Sequence, residues 1–300
     1  QHSPHHRTDS RNMLIDALLP LALACIMFSL GITLRPADFG RLFVQPRAIG
    51  IGLFGQIVAL PLLAFALLKI SGISGEIAIG VMILALCPGG ASAGLMTALV
   101  RGDTALSISL TAISSVAALL TLPFAVDLAL GHFLATEALI QLPLMRTIGS
   151  VFLITVLPVG LGMLLRHRQP ERTRKLEKPL GKVSTGLFIL IVLATFFSQK
   201  AVLLDNFSSL GPLLMALNLL TMGGGYGLGA LAGLPHSGRL AVAMECGLQN
   251  AALGIFVAIN LLDAPALAVP SMVYAFGMNI GALALVGGLR WFSAKPRTEQ

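Results

Sequence analysis

The chain has 300 residues, 56% of them hydrophobic and only 11% charged, with a net charge of +7 and a mean hydropathy of +0.88. Soluble globular domains carry roughly a quarter of their residues as Asp, Glu, Lys or Arg, so the composition excludes a soluble fold. Its 32 glycines and 16 prolines point the same way, because membrane helices tolerate both residues better than soluble ones do.

At about 20 residues per crossing, nine transmembrane helices are predicted: 13–34, 48–70, 77–100, 104–130, 138–165, 183–199, 208–233, 240–262 and 266–290. Residues 1–12 read as a polar tail without the apolar stretch of a signal peptide, and 293–300 as a second tail. Short connections leave a single membrane domain over 13–292 and no soluble catalytic one. Cys25, Cys87 and Cys246 all fall inside spans, so no extracellular disulfide framework is expected. All six histidines lie in the tail or in loops, which excludes a midplane histidine relay or a histidine-built metal site.

Gln56, in the second span, is flanked by Gly52, Gly55 and Pro61, and reads as interhelical glue or as a ligand. The third span is interrupted at Pro88-Gly89-Gly90. Proline lacks an N–H and glycine opens otherwise costly φ values, so the helix breaks there and restarts near Ala91-Ser92. That restart turns N–H groups and a positive dipole end toward the midplane, where an anion is favoured. Ser107 and Thr111, four residues apart in the fourth span, share a face. Between spans five and six, RHRQPERTRK looks like a nucleic-acid patch but is better read as a loop holding anionic lipid headgroups.

The eighth span is interrupted at Glu245-Cys246-Gly247-Leu248-Gln249-Asn250. Glu245 is the only acid deep inside a span; Asp16, Asp127 and Glu137 lie near span ends. An intramembrane carboxylate costs about 2.5 kcal/mol or more and marks a pathway or site. With no Lys or Arg deep in the spans, a bound Na⁺ or a proton must offset its charge. Gln249 and Asn250 add amide oxygens, and unwinding at Gly247 frees backbone carbonyls, the hard oxygen ligands an alkali cation needs. Asn279, in the ninth span, is a substrate contact or helix–helix glue.

Both interrupted spans lead into a short polar turn with an aspartate, RGDTAL at 101–106 and LDAPAL at 262–267. Five apart and opposite in direction, they predict an inverted five-helix repeat whose first copy lacks one helix. Arg7, Arg11, Lys69, Arg146 and Lys200 lie on one face of the membrane and every other Lys and Arg on the opposite one. Short-loop basic bias puts the C-terminus in the cytoplasm and the N-terminus outside the inner membrane.

At these residues the chain resembles the bile acid:sodium symporter family. The resemblance runs through MFSLGITLRPADF, GQIVALP, CPGGASAGLMTALVRGDTALSISLTAISS and ECGLQNAALG. It implies two crossed discontinuous helices, a core domain (48–130 and 208–292) and a panel domain (13–34 and 138–199). It also implies a Na⁺ site from the side chains of Gln56, Glu245 and Gln249 and carbonyls near Cys246 and Leu248. A second Na⁺ site in the family matches Ser107, Thr111 and Glu245, but its Ser-Asn pair is Ala93-Gly94 here, which removes two side-chain oxygens. Substrate contacts in the family fall near Ala91, Asn250, Met278 and Asn279. Ala91 and Met278 are apolar where relatives often carry hydroxyl or imidazole groups, so a different ligand is implied.

The expected function is Na⁺-coupled import of an organic anion by alternating access. The alternatives are a proton-coupled or uncoupled carrier of the same fold, a non-transporting receptor, and, through Cys87 and Cys246, metalloid export. No Ser/His, Asp/Asp or HExxH arrangement suggests an enzyme.

Overall fold

A computed structural model of the chain describes residues 6–90, 92–133 and 144–294. Its elements are α1 (His6–Gly31), α2 (Pro36–Val44), α3 (Pro46–Phe54), α4 (Leu60–Ser71), α5 (Gly75–Leu86), α6 (Ser92–Leu99) and α7 (Thr104–Phe133). After them come α8 (Leu144–Val151), α9 (Leu157–Arg168), α10 (Pro170–Ser198), α11 (Lys200–Leu231), α12 (His236–Gly247), α13 (Ala251–Phe256) and α14 (Val269–Ala294). Three π-helical turns, Gly55–Ala59, Phe152–Val156 and Val257–Leu261, join or extend these helices without ending them.

Six helices among the described residues are long and apolar enough to cross a membrane: Pro46–Ser71, Thr104–Phe133, Met145–Arg168, Pro170–Ser198, Lys200–Leu231 and Pro265–Gly287. Leu18–Gly31, Gly75–Leu86 and Ala251–Leu261 are shorter apolar helices. Large side chains such as Leu21, Leu62, Leu128, Phe197 and Ile280 are exposed, which suits a surface solvated by lipid. The chain is an all-α membrane protein.

Three helix starts fall well before the expected ones, α11 opening at Lys200 rather than 208. Helix α1 begins at His6, inside the expected polar tail, since no proline or glycine interrupts the chain between Pro4 and Pro20. Helix α10 begins at Pro170, more than three turns before the expected span start at 183, because its polar first turns continue the apolar helix without a break. Proline at N1 suits both α10 and α2, where its missing N–H has no helical partner to lose.

Helix α1 packs on α9 and α10, while α11 packs on α12 and α14, and α5 on α7. Gly31 and Gly162 are what let α1 and α9 touch: a Cβ on Gly31 would overlap the Val159 carbonyl, and one on Gly162 would stand 2.6 Å from the Phe28 carbonyl oxygen. The most deeply buried side chains are concentrated in α5, α12 and α13, the pieces around the two interruptions.

Candidate ion and substrate site

The two interruptions meet. Helix α5 stops at Leu86 and α6 starts at Ser92; α12 stops at Gly247 and α13 starts at Ala251. Between them the backbones pair reciprocally: Gly90 N–H donates to the Leu248 carbonyl at 2.7 Å, and Asn250 N–H to the Pro88 carbonyl at 2.9 Å. Gly89 and Gln249 thus form an isolated antiparallel bridge. This exchange answers the main constraint on broken helices in a bilayer, where unpaired backbone groups are too costly to leave. It also requires glycine, because a Cβ on Gly90 would lie 2.8 Å from the Gln249 carbonyl oxygen.

Glu245 sits one turn before its break with 0% exposure. Ser107 Oγ donates to its Oε2 at 2.9 Å and Thr111 Oγ1 to its Oε1 at 2.6 Å, so the shared α7 face meets the carboxylate. Thr111 Oγ1 also lies 3.1 Å from the Ser107 carbonyl. A Cβ on Gly89 would overlap Glu245 Oε1 and come within 3.0 Å of Gln56 Nε2. Gln56 lies in the π turn Gly55–Ala59, and this turn sets it against the break. Its amide is buried, and neither amide atom has a hydrogen-bond partner among the described residues.

Other members of the expected Na⁺ set already have partners. Gln249 Nε2 donates to the Cys246 carbonyl at 2.9 Å, leaving Gln249 Oε1 buried and unpartnered, while the Leu248 carbonyl serves Gly90. Ala93 N–H donates to the Gly90 carbonyl at 3.0 Å, and Gly94 faces Ile108 of α7. Neither adds a side-chain oxygen. The side-chain oxygens of Gln56 and Gln249 are thus both buried without a partner among the described residues, and Gln56 Nε2 and Glu245 Oε1 both stand against Gly89. Cys87 and Cys246 are both buried, and Cys87 Sγ bonds the Ile83 carbonyl at 3.2 Å.

Gly247 departs from expectation. It is the last residue of α12, and its carbonyl is not free: Asn218 Nδ2 and Tyr274 Oη both donate to it at 2.8 Å. Asn218 Nδ2 also reaches Tyr274 Oη at 3.2 Å, and Met222 packs where a Gly247 Cβ would stand. Asn218 and Tyr274 were not singled out from the sequence, although an Asn within LLMALNLLTM is a polar signal of the same kind as Gln56.

A cavity of about 490 Å³ lies against the other side of this junction. Ser92, Asn250, Met278 and Asn279 line it, together with Gly90 and Gln249 from the breaks; Ala91 lies outside the described residues. Its opposite wall comes from α1 and α10, including Met27, Ser29, Ser184, Thr185 and Phe188, with Thr33 just after α1. Among the described residues no Lys or Arg lines it, and Glu177 is its one acid. Asn250 Oδ1 caps α13 through Leu253 N–H at 3.1 Å, leaving its Nδ2 near Met27 Sδ at 3.8 Å. Asn279 Nδ2 bonds the Ala275 carbonyl of its own helix at 2.7 Å. A second cavity of about 280 Å³, lined by Gln56, Cys87, Pro88 and Ser114, approaches the junction from elsewhere.

Split helices joined back to back around a buried acid, beside a cavity between two helix groups, define a multi-pass membrane transporter class. Residues 20–206 match the sodium bile acid symporter family, and the chain belongs to that family, one of symporters rather than enzymes. It is 30% identical to an uncharacterized sodium-dependent transporter of Bacillus subtilis, over 95% of this chain and 86% of that protein. It is 28% identical to a probable chloroplastic sodium/metabolite cotransporter of Oryza sativa, over 89% of this chain but only 62% of that relative's length. The ileal sodium/bile acid cotransporter of Mus musculus is also 28% identical, over 81% of this chain and 69% of its own.

Proposed function

We propose that the chain is a Na⁺-coupled carrier that imports an organic anion across the inner membrane by alternating access. One observation carries this reading: Glu245 is fully buried, and its nearest charged or polar company is two hydroxyls and an unpartnered glutamine amide rather than a basic side chain. A carboxylate so placed needs a cation. Na⁺ is the co-transported substrate, held by Glu245, Gln56, Gln249 and carbonyls near Cys246 and Leu248. A second ion near Ser107 and Thr111 has less to hold it, because Ala93 and Gly94 lack side-chain oxygens. The relatives' sodium dependence supports the same assignment.

Nine spans follow when α5/α6 and α12/α13 each count as one broken crossing and α1 as another. An inverted repeat is supported by a backbone coincidence. Arg101 (φ 57°) and Asp263 (φ 51°) are the only non-glycine residues with left-handed φ among the described residues, and each sits in the turn after a broken helix. In this reading the helices of 48–130 and 208–292 are the core, those of 13–34 and 138–199 the panel, and the 490 Å³ cavity between them holds the anion. Since no Lys or Arg among the described residues lines that cavity, the N-terminal end of α6 at Ser92 and the Asn250 amide supply the positive potential. The bound cation adds to it, so ion and anion bind with positive coupling.

A proton in place of Na⁺ is the second reading, and one contact favours it: a protonated Glu245 donates to Thr111, which then donates onward to the Ser107 carbonyl. The test begins with a thermal-shift screen of organic acids and sterol conjugates in Na⁺ and in K⁺. The stabilising compound is then used for counterflow uptake in proteoliposomes. Uptake should require Na⁺ and vanish in Glu245→Ala. Concentration of the compound by a pH gradient in Na⁺-free buffer would establish the proton reading instead.

A further inference from the structure

Away from the junction, cationic groups gather where two helices begin. Arg35, Arg166, His167 and Arg174 border a cavity of about 370 Å³, with Glu171 as its one acid and buried Leu34 beside them. Pro36 and Pro170, the first residues of α2 and α10, complete its edge, so two helix N-termini add partial positive charge. Arg166 is fixed in place, its Nη1 donating to the Ile32 carbonyl at 2.5 Å and lying 3.9 Å from Glu177. The guanidinium groups of Arg35 and Arg174 make no ion pair among the described residues, where the only ones are Arg41–Asp103 and Arg166–Glu177; the Asp38 carboxylate accepts from the Arg35 backbone N–H at 2.7 Å.

The cavity sits where the apolar helix Met145–Arg168 ends, and the ends of a crossing helix reach the headgroup layer. Guanidinium forks match phosphate oxygens in geometry as well as charge. Leu34 and the two prolines give the same concavity an apolar side. We propose that this cavity binds the phosphodiester headgroup of an anionic phospholipid, Arg35 and Arg174 meeting the phosphate and Arg166 holding the cavity open by its tie to Ile32, just after α1. The proposal stands apart from the transport reading and needs only that the protein lies in a membrane.

The test uses the purified full chain in detergent, titrated with phosphatidylglycerol, phosphatidylcholine or inorganic phosphate. Melting temperature and native mass spectrometry of retained lipid are the readouts. Phosphatidylglycerol should raise the melting temperature and stay bound, whereas the other two do neither. The pair Arg35→Glu and Arg174→Glu should weaken half-saturation by about thirtyfold or more. A matched reversal on exposed positions of α10 outside the cavity and outside the 166–175 stretch, Lys178→Glu with Lys182→Glu, should leave it unchanged. Should the first pair misfold, Arg35→Gln with Arg174→Gln reads the same contrast. Equal loss in both pairs, or no loss in the first, overturns the site. Inorganic phosphate that displaces the lipid and gives the same shift overturns the lipid assignment and leaves a free-phosphate site.

Discussion

Gly89→Ala tests the geometry of the junction with a single methyl group. A Cβ there would overlap Glu245 Oε1. The backbone on its own side has little room to retreat, being held through Gly90 N–H to Leu248 at 2.7 Å and Asn250 N–H to Pro88 at 2.9 Å. The carboxylate must therefore swing, losing Thr111 at 2.6 Å and Ser107 at 2.9 Å. A hydrogen bond to a charged group contributes about 1.5–3 kcal/mol, so forfeiting both costs about 3–6 kcal/mol. At about 1.4 kcal/mol per decade, Na⁺ affinity should fall by about two to four orders of magnitude. Without the ion the displaced carboxylate can take up a proton instead, so the stability cost is mainly that of overpacking, about 1–3 kcal/mol, and the variant should still fold. The assay is the Na⁺ concentration giving half of the Na⁺-induced rise in melting temperature, with K⁺ as balancing ion. A midpoint within about threefold of wild type, in a variant that elutes as a single species, would refute the argument that Glu245 is held at the ion site by these contacts.

Two further outcomes follow from the residues around the breaks. Tyr274→Phe removes one of two donors to the Gly247 carbonyl but leaves Asn218 at 2.8 Å. A net loss of about 0.5–1.5 kcal/mol should weaken Na⁺ by about two- to tenfold, and Asn218→Ala in the same background should weaken it further; equal Na⁺ midpoints in all three proteins would contradict that. Asn250→Ala removes the cap on Leu253 N–H and an amide from the cavity wall. Loss of a cap costs about 1 kcal/mol, so half-saturation by the transported anion should rise about fivefold while the Na⁺ midpoint stays within about twofold.

Much of the junction was legible because polar residues stand out in apolar spans. Glu245, Gln249 and Pro88-Gly89-Gly90 could be read directly, and Ser107 and Thr111 share a face by spacing alone. Gln56 could not be assigned from its flanks: a π turn, which no hydrophobic period announces, sets it beside Gly89. The Asn218–Tyr274 clamp was equally hidden, since which helix covers the Gly247 carbonyl depends on packing between distant segments. The start of α10 at Pro170 was missed because its first turns are charged and project beyond the apolar stretch that a span search detects.

Direct binding of radiolabelled Na⁺ to the purified protein bears most closely on the claim that an alkali cation neutralises the buried acid. Wild type should bind the label saturably and resist displacement by K⁺, whereas Glu245→Gln, isosteric and uncharged, should bind none above background. Undiminished binding by that variant, or proton uptake without any Na⁺ binding in wild type, would contradict the account.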